Sequence, residues 1–181
     1  MIKKKLGKTD IKLTPLGFGG APMGDLFERL KEEDCYTTLK KSYENGINIY
    51  DTSPFYGYGL SEHRVGNFLK SINREDFYIS TKVGRYLSPD KEENIDRGIF
   101  KGGLQFKPTL DYTYDGVMRS FEQSLLRLGL SNIDICLIHD VDRFTHGDGV
   151  DEFFKIAMEG AYKALRKLKD QELIKAIGIG V

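Results

Sequence analysis

The stretch Ile47-Asn48-Ile49-Tyr50-Asp51-Thr52-Ser53-Pro54-Phe55-Tyr56-Gly57-Tyr58-Gly59-Leu60-Ser61-Glu62 decides how the rest of the chain is read. An apolar alternation breaks off at the carboxylate of Asp51, a turn carries Tyr56, and Ser61 stands where it would cap a helix with Val65, Phe68 and Leu69 on one face. This pattern predicts a strand that delivers an acid and a phenol to one rim. Two later runs repeat the design: Phe77-Tyr78-Ile79-Ser80-Thr81-Lys82 ends on a lysine, and Ile133-Asp134-Ile135-Cys136-Leu137-Ile138-His139 ends on a histidine. Strands that alternate with helices form a parallel sheet. The three ends therefore fall on one side, where α/β barrels place their chemistry.

On the N-terminal side, residues 3–13 alternate around Leu6-Gly7-Lys8-Thr9-Asp10, which predicts a small β-hairpin closing the bottom of a barrel. Leu16-Gly17-Phe18-Gly19-Gly20 reads as a first buried strand running into a turn. Its glycines allow either close approach of a ligand or a plain change of direction. Residues 32–44 carry Cys35, Tyr36, Leu39 and Tyr43 at helical spacing, with Asn45-Gly46 as the stop.

On the C-terminal side, Thr113 caps a helix through Val117, Phe121, Leu125 and Leu128 that Gly129 ends. Residues 140–149 form a polar loop before a long amphipathic helix over Phe153, Ile156, Ala161, Leu165 and Leu168, and residues 174–181 form a fifth strand. Between Val83 and Tyr112 no period is sustained, and Gly84, Pro89, Gly98, Gly102, Gly103 and Pro108 punctuate the run. Because it leaves the Lys82 strand at the rim, it is expected to fold over the site rather than build the barrel, with a disordered insertion as the alternative.

The 181 residues suffice for one domain with a real core, and no linker or second domain is expected. Lysine and arginine number 27 and aspartate and glutamate number 27, a balance that recommends neither nucleic acid nor an anionic membrane as partner. After Met1-Ile2-Lys3-Lys4-Lys5 the residues Gly7, Lys8, Asp10 and Lys12 interrupt any apolar run, so neither a signal peptide nor a membrane span is expected. Cys35 and Cys136 are expected as buried thiols, and the protein as soluble and cytoplasmic.

A free tyrosine titrates near about 10, too high for easy proton exchange at neutral pH. A neighbouring ammonium favours the phenolate, a carboxylate orients that ammonium, and an imidazole can hold a carbonyl or hydroxyl oxygen. Asp51, Tyr56, Lys82 and His139 supply this set, which suits proton transfer on an alcohol or carbonyl oxygen; the hydride needs a cofactor. Singly, each residue has a plainer role: a turn carboxylate, a core aromatic, a snorkelling lysine, a structural histidine. The conjunction at successive strand ends favours catalysis. His139, Asp140, Asp142, His146 and Asp148 lack a recognisable ligand spacing, so no metal is expected.

Tyr50 to Gly57, Ser80-Thr81-Lys82, Leu125-Leu126-Arg127-Leu128-Gly129-Leu130 and Asp134 to His139 together make the chain similar to the aldo-keto reductase family. That resemblance implies a (β/α)8 barrel, a catalytic tetrad of Asp51, Tyr56, Lys82 and His139, and NAD or NADP as cofactor. Gly17 to Gly24, Thr52 to Glu62, Lys82-Val83-Gly84-Arg85 and Tyr114 to Ser120 resemble the branch holding aldose 1-dehydrogenases of D-threo-aldose, L-fucose or L-galactose type and pyridoxal 4-dehydrogenase.

The resemblance further implies cofactor contacts at Gly19, Gly20, Met23 and Asp51, and substrate contacts at Tyr58, Arg85 and Tyr86. The expected substrate is a small sugar oxidised at C1 to a lactone, or a related carbonyl compound or ring alcohol. A non-catalytic subunit that senses a nicotinamide cofactor is the competing function, and a structural or inactive fragment a third. The family needs eight strands and the pattern here supplies five, so the chain is expected to be an N-terminal portion. Its strand edges at Leu16–Gly19 and Ala176–Ile179 would then invite self-association.

Overall fold

Which face each strand residue presents explains why the strands read as nearly continuous apolar runs. In the computed structural model, which describes residues 1–181, five strands form one parallel sheet in the order β3-β4-β5-β8-β9. These are β3 (Phe18–Gly19), β4 (Ile49–Asp51), β5 (Tyr78–Val83), β8 (Ile135–His139) and β9 (Ala176–Gly180), and β3 and β9 are its unpaired edges. One face carries Tyr50, Ile79, Val83, Cys136 and Ile138 into the main core. The alternate residues divide by height. Ile49, Tyr78, Ile135, Leu137 and Ala176 gather around Ile11 at the lower end, while Asp51, Ser80, Lys82 and His139 occupy the upper rim. Parallel strands covered on both faces are apolar by necessity, except where they emerge at the rim.

The expected hairpin is present as β1 (Lys4–Lys5) paired antiparallel with β2 (Lys12–Leu13). Ile11 closes the lower end against Ile135 and Ala176. The helices α1 (Glu32–Glu44), α2 (Leu60–Leu69) and α3 (Tyr114–Leu128) bring Leu39, Val65, Phe68, Val117, Phe121 and Leu128 onto the outer sheet face. Thr113 caps α3 by accepting from the Gly116 amide, and Gly129 ends it in the left-handed conformation, as the residue types predict. The final helical run starts as α5 (Val150–Ile156) and continues through a π turn, Ala157–Ala161, into α6 (Tyr162–Asp170). Gly160 lies in that turn, where a β-carbon would sit 2.5 Å from the Tyr112 carbonyl oxygen.

Three expectations are corrected. Ser61 does not cap α2: Gly59 holds that position, and the Ser61 hydroxyl donates instead to the Gly20 carbonyl at 2.6 Å. Residues 84–112 are not without regular structure: β6 (Arg85–Pro89) pairs antiparallel with β7 (Phe106–Leu110). This hairpin stays outside the five-stranded sheet. Its apolar residues form a separate cluster, Tyr58, Leu87, Ile95 and Phe100, too small and too local to impose a sequence period. The polar loop after His139 contains a short helix, α4 (Arg143–His146), capped by Asp142.

Both cysteines are buried and free. No helix is long and apolar enough to cross a membrane.

A buried ion pair ties α2, α3 and β5 together. Glu62 is fully buried, accepts from Thr81 Oγ1 at 2.7 Å and from Arg127 Nε at 2.6 Å. Truncation of one partner leaves the other charge buried and unpaired, so Glu62→Ala is expected to cost on the order of 3–5 kcal/mol of stability. Chemical denaturation measures the loss; a change below about 1 kcal/mol, the worth of an exposed pair, would mean that solvent reaches Arg127.

Candidate active site

The parallel register brings the rim residues into adjacent rows. Asp51 stands opposite Ser80, Lys82 opposite Leu137, and His139 opposite Gly180. Lys82, at the penultimate position of β5, has only 6% of its side chain exposed, so its ammonium needs compensation on the spot. It donates to Asp51 Oδ2 at 2.7 Å and to the Thr52 carbonyl at 3.0 Å. Ser80 Oγ donates to the other Asp51 oxygen at 2.8 Å and fixes the carboxylate plane. Gly180 leaves room for the lysine stem: a β-carbon there would lie 3.1 Å from Lys82 Cε. The ammonium lies 4.9 Å from the centroid of the half-buried Tyr56 ring.

Tyr56 is held by its turn. Gly57 adopts φ +61°, and Gly24 packs against it so closely that a β-carbon on Gly24 would sit 2.5 Å from the Gly57 nitrogen. Here glycine serves contact between two segments of the chain itself. Tyr56 meets His139 edge to face, with ring centroids 5.9 Å apart.

The partners of His139 assign its tautomer. Ser53 Oγ already accepts the Phe55 amide at 3.0 Å, which frees its proton for His139 Nδ1, 3.1 Å away. Nε2 then carries the imidazole hydrogen and faces Asp140 Oδ1 at 3.3 Å. Burial, reinforced by the Arg85 and Lys82 charges, pushes the imidazole down to about 2, so His139 is neutral over the physiological range.

Asp51, Tyr56, Lys82 and His139 are thus brought to one rim, and Arg85 joins them. Its guanidinium lies over the Phe55 ring at 4.7 Å and 2.9 Å from Asp140 Oδ2. Other residues expected at the site stand elsewhere. Tyr58 is buried in the cluster under the β6–β7 hairpin, and its hydroxyl donates to the Asp96 carbonyl at 2.5 Å. Tyr86 alternates with Arg85 along β6 and turns to Arg119 of α3, whose guanidinium stacks at 4.1 Å. The Met23 side chain belongs to the core, and a β-carbon on Gly20 would meet the Asp51 carbonyl at 2.6 Å; neither side faces open space. Gly19 does: a β-carbon there would find nothing within 4 Å.

Three residues that position the site were not singled out from the pattern. Ser53 orients His139; it lies between Asp51 and Tyr56, where only its hydroxyl hinted at a role. The Tyr112 hydroxyl donates to the carbonyl of His139 at 2.6 Å and shares contact with Asp140. Asp140 follows His139 directly but read as a loop residue. The His146 ring is taken up by Tyr112 and a stacked Phe153, and no group of three or more His, Cys, Asp or Glu side chains is arranged to hold a metal ion.

Residues 15–180 match the Aldo/keto reductase family. The chain is 38% identical to pyridoxal 4-dehydrogenase of Microbacterium luteolum, over 99% of its own length and 55% of that protein's. It is 36% identical to D-threo-aldose 1-dehydrogenase of a Pseudomonas species, over 94% of its length and 50% of that protein's. It is 33% identical to L-galactose dehydrogenase of Arabidopsis thaliana, over 97% and 47% respectively. Among solved structures, the holo form of an aldo-keto reductase from Bacillus halodurans superposes with a TM-score of 0.73 at 27% identity, over 99% of this chain and 50% of that one. The five-stranded parallel sheet is thus part of a TIM barrel of this type, and the chain spans about half the length of the relatives it matches. A family match across nearly all its residues, and relatives above 30% identity over almost its whole length, carry one conclusion: the chain belongs to the Aldo/keto reductase family.

Proposed function

We propose that this chain supplies the proton-transfer half of a nicotinamide-dependent oxidoreductase acting on a small sugar or carbonyl compound, with oxidation of an aldose at C1 as the favoured direction. The observation that carries this reading is the buried Lys82 ammonium paired with Asp51 and set against the Tyr56 ring, with His139 Nε2 at the same rim. Tyr56 exchanges the hydroxyl proton of the substrate. Lys82 faces the ring on whose oxygen negative charge develops, and Asp51 holds the ammonium in place. His139 donates to the substrate oxygen, and its neutrality keeps it a hydrogen-bond donor rather than an acid. The open space at Gly19 beside the partly exposed Asp51 fits the reactive end of NAD or NADP, which accepts the hydride when bound. The relatives named for aldose and pyridoxal oxidation support this substrate class.

Tyr56→Phe removes the exchangeable proton and leaves the ring in place. It is expected to lower kcat by on the order of 10²–10⁴, the usual worth of general acid-base help, while the dissociation constant for the cofactor stays within about twofold. Steady-state kinetics with cofactor titration measures both; retention of more than half the activity would remove Tyr56 from the role.

His139 makes stability depend on pH with a defined sign. Its folded value lies far below its ordinary one, so its contribution is fully present above about 6.5 and is lost as pH falls from there. The thermal midpoint is expected to drop between roughly pH 7 and pH 5, and to drop less in His139→Gln. Equal slopes in the two proteins would show that the imidazole protonates freely in the folded state.

A further inference from the structure

We infer that Asp140 and Arg85 together form a charge-neutral subsite that binds adjacent hydroxyls of a neutral polyol beside the reacting carbon and turns away anionic analogues. The inference rests on the reading of the rim as an oxidoreductase site. It concerns residues beyond the Asp51, Tyr56, Lys82 and His139 set.

A hollow of about 620 Å³ opens at the rim, lined by Phe55, Arg85, Asp140, Asp142, Phe144 and Thr145, together with Val181. One of its polar residues is already partly used: Asp142 spends an oxygen on the Thr145 amide at 2.8 Å to cap α4. Asp140 and Arg85 are different. Asp140 adopts φ +51°, a left-handed conformation uncommon outside glycine, which sets its carboxylate between His139 Nε2 and Arg85 Nη1. Its backbone is pinned on both sides, by its own amide donating to the Gly180 carbonyl at 2.7 Å and by the Tyr112 hydroxyl on its carbonyl.

Arg85 has only 10% of its side chain exposed, yet its Nη1 makes no aligned hydrogen bond despite lying 2.9 Å from Asp140 Oδ2. The contact with Asp140 leaves the other guanidinium N–H groups available to a further acceptor. Asp140 meanwhile presents acceptor lone pairs to the hollow at 25% exposure. One acceptor and one donor side by side match a vicinal diol: one hydroxyl donates to the carboxylate, and its neighbour accepts from the guanidinium. The Phe55 ring beneath Arg85 and the fully exposed Phe144 ring offer apolar faces for the carbon-bound hydrogens of a sugar.

Charge sets the selectivity. An isolated Arg85 would favour a carboxylate or phosphate, as guanidinium groups do. Asp140 cancels that charge and repels an anion placed beside it, so the pair selects neutral polar groups. Asp140 Oδ1 also lies 3.3 Å from His139 Nε2, the donor proposed to hold the substrate oxygen, so a hydroxyl bound to Asp140 stands next to the reacting centre.

The test is equilibrium binding of two sugars that differ only at C6, L-fucose with a methyl group and L-galacturonate with a carboxylate, with oxidised nicotinamide cofactor present. Wild type is expected to prefer L-fucose. In Asp140→Asn, which is nearly isosteric, the ratio of affinities is expected to move at least tenfold toward galacturonate as the Arg85 charge is uncovered, in line with the worth of a hydrogen bond to a charged group. Asp140→Gly, compatible with the left-handed backbone, serves as the second variant if the first does not fold. An unchanged ratio overturns the inference whatever the absolute affinities, as does a wild type that binds neither sugar. Binding with the expected ratio but without cofactor reduction would overturn the oxidoreductase reading and leave the subsite standing.

Discussion

A lysine ammonium withdrawn from water at the end of a parallel strand is the constraint on which the rest of this rim depends. Removing an ion from solvent costs several kcal/mol, and only close, well-oriented partners offset it. Lys82 finds them in Asp51 and the Thr52 carbonyl, both delivered by the neighbouring strand. The pairing works in one register only. A slip of one residue between β4 and β5 would send Lys82 to the helix-facing side, where Val83 now packs, and leave Asp51 without its cation. Geometry at the site and burial in the core are therefore two consequences of the same strand alignment.

The outer layer answers to that alignment. Tyr50, Ile79, Val83, Cys136 and Ile138 can face the helices because the intervening residues face inward, apolar around Ile11 below and polar at the rim above. The Glu62–Arg127–Thr81 contacts tie two helices to the Lys82 strand, and the close passage of Gly24 past Gly57 holds the turn that carries Tyr56. His139 is oriented from behind by Ser53 and through its backbone by Tyr112. Each link joins residues far apart in sequence.

That separation explains what could be read from the chain in advance. The strand ends at Asp51 and His139, the position of Lys82, the hairpin before Thr14 and the Thr113 cap all follow from local pattern: a period, a cap residue, a stop. The 84–112 segment did not declare its two strands, because its apolar residues meet Tyr58 and one another in a small cluster and keep no period of their own. Ser61 looked like a cap because serine often is one, but the Gly20 carbonyl drew its hydroxyl away. Side-chain direction was the least legible property. The resemblance implied Tyr58 and Tyr86 as substrate contacts, yet a left-handed turn and a strand alternation carry them off the rim, while Arg85 stays. Gly19 and Gly20 looked equivalent, and only the first faces open space.

The central claim, that this rim moves a proton in a nicotinamide-dependent oxidation, is tested most directly by following reduction of NAD and NADP by the protein with a panel of free aldoses and pyridoxal. The account predicts saturable cofactor reduction with at least one aldose, one lactone formed for each cofactor reduced. Tight cofactor binding without turnover of any member of the panel would contradict it and favour a sensing role for the same fold.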